Sequence, residues 1–231
     1  MKIDETVLEA PVLDQQSWFR VGSFAAVALG VGYIIIIALY ARVGAPPSSG
    51  GEAWFRYLAG KTAIWWAILG LSVFTDLLYL PLALALYLAL KRINRNLMLL
   101  ATAFIGLFVV LDLAVTWTHY ASILALYGRY SAATGDAQRA ASLAAADYAS
   151  AMLASRLEVV YAIVTLSFGI LLTALVMRRG SFDQITAWLG LVTGVLGIAS
   201  LTGSSLAIIG NALFATLWLF FVGYRLYRLA R

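Results

Sequence analysis

The chain has 231 residues, of which 63% are apolar, 12% are charged and none is cysteine. A soluble domain has about 45–50% apolar and about 25% charged residues, so the composition predicts an integral membrane protein in a lipid bilayer. The net charge of +5 comes from basic residues just beyond the ends of apolar runs, which is typical of topology signals and excludes a nucleic-acid surface. The absence of cysteine excludes disulfides, thiolate metal sites and cysteine nucleophiles.

The N-terminal stretch MKIDETVLEAPVLDQQ is acidic and polar, unlike the basic start of a signal peptide, so we expect the first apolar run to be retained. Six apolar runs are each long enough to cross about 30 Å of hydrocarbon. We therefore predict an all-α, polytopic transmembrane helical bundle that forms a single membrane domain over residues 1–231. The six spans are expected at about 21–41, 63–90, 97–120, 153–177, 185–201 and 206–224.

Two further helices are expected outside the spans. Residues 51–60 mix aromatic and charged side chains, as a short interfacial helix does. Residues 136–151 are rich in alanine, which favours a helix on the outer surface or an extension of the fourth span. Within the second span, Pro81 is expected to introduce a kink.

An even number of spans puts both termini on one side of the membrane. The segments on that side carry ten of the sixteen Lys and Arg residues, which predicts cytoplasmic termini in a bacterial inner membrane. Tryptophans near the span ends fit the aromatic belt of a membrane protein. They are Trp18 and Trp188 at the cytoplasmic edge, and Trp54, Trp65, Trp66 and Trp117 at the outer edge.

Two carboxylates stand alone inside apolar spans, Asp76 in the second and Asp112 in the third. An ionised carboxylate in hydrocarbon costs several kcal/mol, so such residues usually face the bundle interior or a wet cavity. On the third span Asp112, Thr116 and His119 follow at i, i+4 and i+7, and on an α-helix they share one face. A bridge from the aspartate to the histidine would run through Thr116 or a water molecule.

The fourth span begins at the same outer edge with Arg156 and Glu158. The candidate ligand or ion site is therefore Asp76, Asp112, Thr116, His119, Glu158 and Arg156, in the outer half of the bundle. Carboxylates and one imidazole suit a divalent cation, with Asp76, Asp112 and His119 as candidate ligands, or a proton-coupled step. No cofactor is predicted. In the alternative reading, the carboxylates only bond to neighbouring helices and fix their register, and Arg156 extends to the headgroups.

Small residues on the fifth span predict close helix packing. Gly190, Gly194 and Gly197 form a smooth stripe that we expect to pack within the fifth–sixth hairpin, with a homo-oligomer contact as the alternative. On the sixth span, Asn211 is expected to form a hydrogen bond between helices.

The six-span layout, the long connection before the fourth span and the closing WLFFVGYRLYR, with Trp218, Gly223 and Arg225, resemble a bacterial six-span membrane family of unknown function. This resemblance implies no activity and no site residue. The residues themselves favour a non-enzymatic protein whose polar site binds or passes a cation, a proton or a small ligand. Two alternatives stay open, a structural or assembly subunit of a membrane complex, and an intramembrane lipid-modifying enzyme that uses Asp76 and Asp112 as acid and base.

Overall fold

The structure is a computed structural model that describes residues 15–180 and 182–231, so the sequence expectations for residues 1–14 lie outside it. The described part is helical, with no strand among these residues. Six of its helices are long and apolar enough to cross a membrane, as expected for a multi-pass membrane protein. They are α1 (Gln15–Val43), α3 (Thr62–Leu90), α4 (Arg95–Ala132), α6 (Arg156–Met177), α7 (Gln184–Thr202) and α8 (Ser205–Leu229), and the shorter helices are α2 (Gly51–Leu58) and α5 (Asp136–Leu153).

The predicted six-span fold is confirmed, with changes at the span ends. Helix α4 continues well beyond the predicted end of the third span and has 38 residues. Helix α6 begins at Arg156 and not at 153, because the Ser155 hydroxyl caps it by accepting a hydrogen bond from the Glu158 N–H at 3.3 Å. Helix α3 runs through Pro81 without ending.

The spans form a closed ring in which each packs on two neighbours, in the order α3–α1–α8–α7–α6–α4 and back to α3. We call the end where α1 begins and α8 ends the terminal end, and the end that carries α2 and α5 the surface-helix end. In the terminal half, buried side chains such as Tyr79, Leu86 and Leu219 fill the ring. The other half of the ring is less completely filled, and that is where the polar residues lie.

The glycine stripe of α7 is buried inside the chain. A Cβ added at Gly197 would overlap Ser167 Oγ on α6, and one at Gly190 would lie 2.8 Å from both Ala174 on α6 and the Trp218 indole nitrogen on α8. The stripe therefore faces the fourth span as well as its hairpin partner. A contact between copies through these glycines stays a prediction, and it would have to displace those neighbours.

Polar contacts also join the last two spans. Asn211 of α8 donates a hydrogen bond to the Thr193 carbonyl of α7 at 2.8 Å, as expected from the sequence. At the terminal end, Arg225 of α8 contacts Asp183, which also caps α7 through Thr186. Partial burial pushes the pKa of Asp183 up, but the hydrogen bonds from Arg225 and Thr186 outweigh it and hold that pKa below its usual value.

The surface-helix end is closed by an aromatic cluster, and this corrects part of the belt prediction. Trp54 of α2 and Trp65 of α3 are buried, with ring centroids 5.7 Å apart, and Tyr120 of α4 stacks on Trp65 at 5.3 Å. These rings pack on one another because α2 folds over the ends of α3 and α4. Helix α5 holds α2 in place, since Asp147 accepts a hydrogen bond from the Gly51 N–H at 2.5 Å.

Candidate functional site

A cavity of about 260 Å³ lies inside the ring, in the half nearer the surface-helix end. A water molecule takes up about 30 Å³ in the liquid, so the cavity has room for several waters or a small organic molecule. Its walls come from α1, α3, α4, α6 and α8. The titratable groups that line it are Asp76, Asp112 and Glu158 together with Tyr33, Tyr40 and Tyr120.

Two of these carboxylates share one donor. The indole Nε1 of Trp117 lies 2.7 Å from Asp76 Oδ2 and 3.1 Å from Asp112 Oδ2. Both aspartates are only 4% exposed. The structure thus brings Asp76 of α3 and Asp112 of α4 side by side, with the N–H of Trp117 pointing at both.

A wide helical turn explains why Trp117 points inward. Residues Asp112–Trp117 form a π-helical turn inside α4, in which hydrogen bonds run from i to i+5. The Thr118 hydroxyl donates to the Leu113 carbonyl at 2.8 Å and supports the wider turn. Such a turn brings residue i+5 close to residue i, so Trp117 lies beside Asp112. The prediction that Trp117 belongs to the outer aromatic belt is therefore wrong.

The same turn separates His119 from the carboxylates. Its Nδ1 lies 2.6 Å from the Val115 carbonyl, its ring lies 6.3 Å from Tyr148, and it does not line the cavity. The predicted common face of Asp112, Thr116 and His119 assumed an uninterrupted α-helix, and the extra residue of the π turn breaks that register. Among the described residues, no group of three or more His, Asp and Glu side chains is placed to hold a metal ion.

Of the other residues predicted for the site, two line the cavity and one does not. Glu158, in the first turn of α6, lines the cavity together with Thr116. Arg156, two residues earlier, is exposed and does not line it. The described lining contains no Lys, Arg or His, so nothing basic stands beside the three carboxylates.

Two buried oxygen atoms in the cavity wall have no hydrogen-bond partner among the described residues, Asp112 Oδ1 and Thr116 Oγ1. Buried polar atoms are almost always paired, with protein or with water, so an unpaired set calls for an explanation. Both side chains are at least nine-tenths buried and both line the cavity. The Thr116 hydroxyl interacts with the Asp112 carboxylate, so the two side chains together present acceptor oxygens that a bound donor would complete.

Aromatic side chains form part of the remaining wall, and they are not among the site residues predicted from the sequence. Tyr33 and Tyr40 lie seven residues apart on one face of α1, and the Tyr33 hydroxyl contacts that of Tyr79 at 2.7 Å. Phe108, Trp117 and Tyr120 line the cavity from α4. The i, i+7 pair of tyrosines on α1 was the available signal for an inward-facing aromatic surface.

The most exposed part of the cavity wall belongs to α1 and α8. In the terminal half these helices touch, since the Ser23 hydroxyl donates to the Gly223 carbonyl at 2.8 Å. In the other half, Ile37 of α1 and Ile208 of α8 both line the cavity, yet they are 40% and 37% exposed. We call the space between these two side chains the α1–α8 gap.

The arrangement is chemically suited to holding a proton or a positively charged group inside an apolar bundle, because its ionisable groups are acidic. The resemblance to a bacterial six-span family stays a prediction. Comparison of the chain with protein-family models, with curated proteins and with solved structures finds no match.

Proposed function

We propose that the chain is a membrane protein whose cavity binds a cation, and that the cation displaces a proton held between Asp76 and Asp112. One observation carries this proposal, which is the sharing of the Trp117 N–H by two buried carboxylates. No basic side chain in the described lining neutralises them. The pair therefore needs positive charge from outside the protein.

The energetics favour exchange between a proton and a cation. Two ionised carboxylates so close together repel each other, and each loses hydration on burial at a cost of several kcal/mol. In the empty cavity we expect the pair to keep one proton, as neighbouring carboxylates do in other buried sites. A cation that enters supplies the missing charge and releases that proton. Glu158 lines the surface-helix side of the cavity and provides a third carboxylate acceptor.

We propose further that the cavity opens in the outer half of a bacterial cytoplasmic membrane. The terminal end carries Lys91 and Arg92 between α3 and α4, Arg178 and Arg179 before α7, and Arg228 near the C-terminus. Positive residues favour the cytoplasmic side. Because the chain has no native cysteine, a single cysteine at Ser49, between α1 and α2, can be labelled from one side of intact cells. Labelling from outside supports this orientation.

The experiment is thermal unfolding of the detergent-purified chain across pH with sodium, potassium, magnesium, calcium and an organic ammonium ion. A ligand at 100 times its dissociation constant stabilises the folded state by about 2.7 kcal/mol. Because protons compete with the cation, the stabilisation should grow as the pH rises. Asp76→Asn and Asp112→Asn should each abolish it.

Glu52→Gln is the matched control, because Glu52 is an exposed carboxylate on α2 that pairs with Arg56 and does not line the cavity. It should leave the cation response unchanged. If no cation stabilises the wild type at any pH, and the aspartate variants differ from it only in stability, the proposal is wrong. The carboxylates would then fix the packing of α3 against α4, as in the structural or assembly reading.

A further inference from the structure

We infer that the cation is an organic amine in its ammonium form, joined to an apolar group, and that it enters from the bilayer through the α1–α8 gap. This inference rests on the proposed function and narrows its ligand. It follows from three features of the cavity, which are its charge, its walls and its opening.

The charge and the free acceptors fit an ammonium group. Three carboxylates and no described basic residue line the cavity, which disfavours an anion. Even with the Thr116 hydroxyl turned toward the Asp112 carboxylate, both oxygens keep lone pairs that can accept hydrogen bonds from N–H donors. An ammonium ion has several such donors, and its hydrogen bonds to a carboxylate are among the stronger ones in proteins.

The walls fit an apolar body better than a hydrated metal ion. Calcium takes six to eight oxygen ligands and magnesium needs a near-octahedral set, whereas no described cluster of acidic and histidine side chains is placed to hold a metal. Aromatic rings surround the carboxylates, and such rings attract an organic cation through their faces. Aliphatic side chains such as Ile163 and Ile170 complete the wall.

The opening leads to lipid. At the surface-helix side, Tyr120 stacks on the buried Trp65, and at the terminal side Tyr79 packs on Phe108 with ring centroids 5.5 Å apart. The α1–α8 gap instead has at its edges Ile37 and Ile208, lining residues that are 40% and 37% exposed. An amine with an apolar tail concentrates in the bilayer, next to this gap.

The binding experiment uses radiolabelled 4-phenylbutylammonium and the full chain in nanodiscs, with empty nanodiscs as the background. We expect saturable binding of one ion per chain, with competition by the unlabelled ammonium. The matched competitors are 4-phenylbutan-1-ol, which is neutral, and 4-phenylbutyrate, which is an anion, and both should compete at least tenfold less well. Asp112→Asn should weaken binding at least tenfold. Equal competition by the alcohol would overturn the inference.

The entry route is tested by substituting two neighbouring residues of α8. Ala212 lines the cavity beside the gap, whereas its neighbour Leu213 is exposed on the lipid side and does not line it. Ala212→Trp should slow association of the ammonium at least tenfold, and Leu213→Trp should leave the association rate unchanged. Equal rates in the two variants would rule out entry through the gap.

A second readout does not depend on the folding of Ala212→Trp. The chain has no cysteine, so Ala162→Cys provides a single thiol in the cavity wall without removing an acceptor proposed for the ligand. We expect 4-phenylbutylammonium to slow its reaction with 2-aminoethyl methanethiosulfonate at least fivefold, and 4-phenylbutan-1-ol to leave it unchanged. Labelling at the same rate with and without the ammonium would overturn the placement of the ligand.

Failure of this inference is distinguishable from failure of the proposed function. If sodium or magnesium stabilises the wild type in a pH-dependent way and 4-phenylbutylammonium does not bind, the cavity takes an inorganic cation and only the ligand class is wrong. If no tested cation binds, the proposed function is wrong as well.

Discussion

Replacing Trp117 with phenylalanine removes the one donor that Asp76 and Asp112 share. The indole nitrogen lies 2.7 and 3.1 Å from their Oδ2 atoms. Phenylalanine keeps an aromatic ring next to Tyr120, whose centroid lies 5.4 Å from that of Trp117. The substitution therefore isolates the hydrogen bond from most of the packing.

The expected loss of stability follows from the kind of hydrogen bond. A hydrogen bond to a charged group contributes about 1.5–3 kcal/mol, and leaving a buried acceptor unpaired costs about 1–3 kcal/mol. Because a single N–H serves both aspartates, only one donor is lost. We expect Trp117→Phe to lower the free energy of unfolding by about 2–3 kcal/mol. Denaturant titration in mixed micelles, monitored by circular dichroism, measures this change in the free energy of unfolding.

Trp66→Phe is the matched control. Trp66 lies next to Trp65 on α3, is 46% exposed on the outside of the bundle, and should cost less than about 0.5 kcal/mol when replaced. If Trp117→Phe unfolds at the same free energy as Trp66→Phe, Trp117 does not bond to the carboxylates. The proposed site would then lose its central contact.

Two further predictions concern helix packing and acid stability. Gly197→Ala should lower the free energy of unfolding by about 1–3 kcal/mol, because the new methyl group overlaps Ser167 Oγ, whereas Gly106→Ala, with open space around it, should be neutral or stabilising. The hydrogen bond from Arg225 helps to lower the pKa of Asp183 in the folded state. The ionised carboxylate therefore stabilises the fold above its unfolded-state pKa near 3.9, and this stabilisation is lost as the pH falls through the lower pKa of the folded state. Arg225→Gln should therefore reduce the loss of thermal stability below about pH 4, and an unchanged acid profile would contradict that role.

The parts of the fold that depend on local composition could be predicted from the sequence. Hydropathy over about 20 residues identifies each span separately, so all six were found. The helix over Asp136–Leu153 follows from its alanine content in the same way. Asn211 was also identifiable, because an amide inside an apolar span has few uses other than a hydrogen bond to another helix.

The pairing of side chains between helices could not be predicted from local composition. Nothing local shows that α3 and α4 close the ring so that Asp76 meets Asp112. The π turn at Asp112–Trp117 could not be predicted either, because the spacing of residues on one face assumes a constant helical period. That one assumption placed His119 on the wrong face and Trp117 in the wrong environment.

Helix α6 has a wide turn of its own, Val160–Val164, which contacts the wide turn of α4. Along the chain, the turn in α4 lies between Asp112 and α5, and the turn in α6 lies between α5 and the rest of that span. The contact between Trp117 and the two aspartates therefore lies next to two π-helical turns, and the helices that carry these turns lead to the two ends of α5.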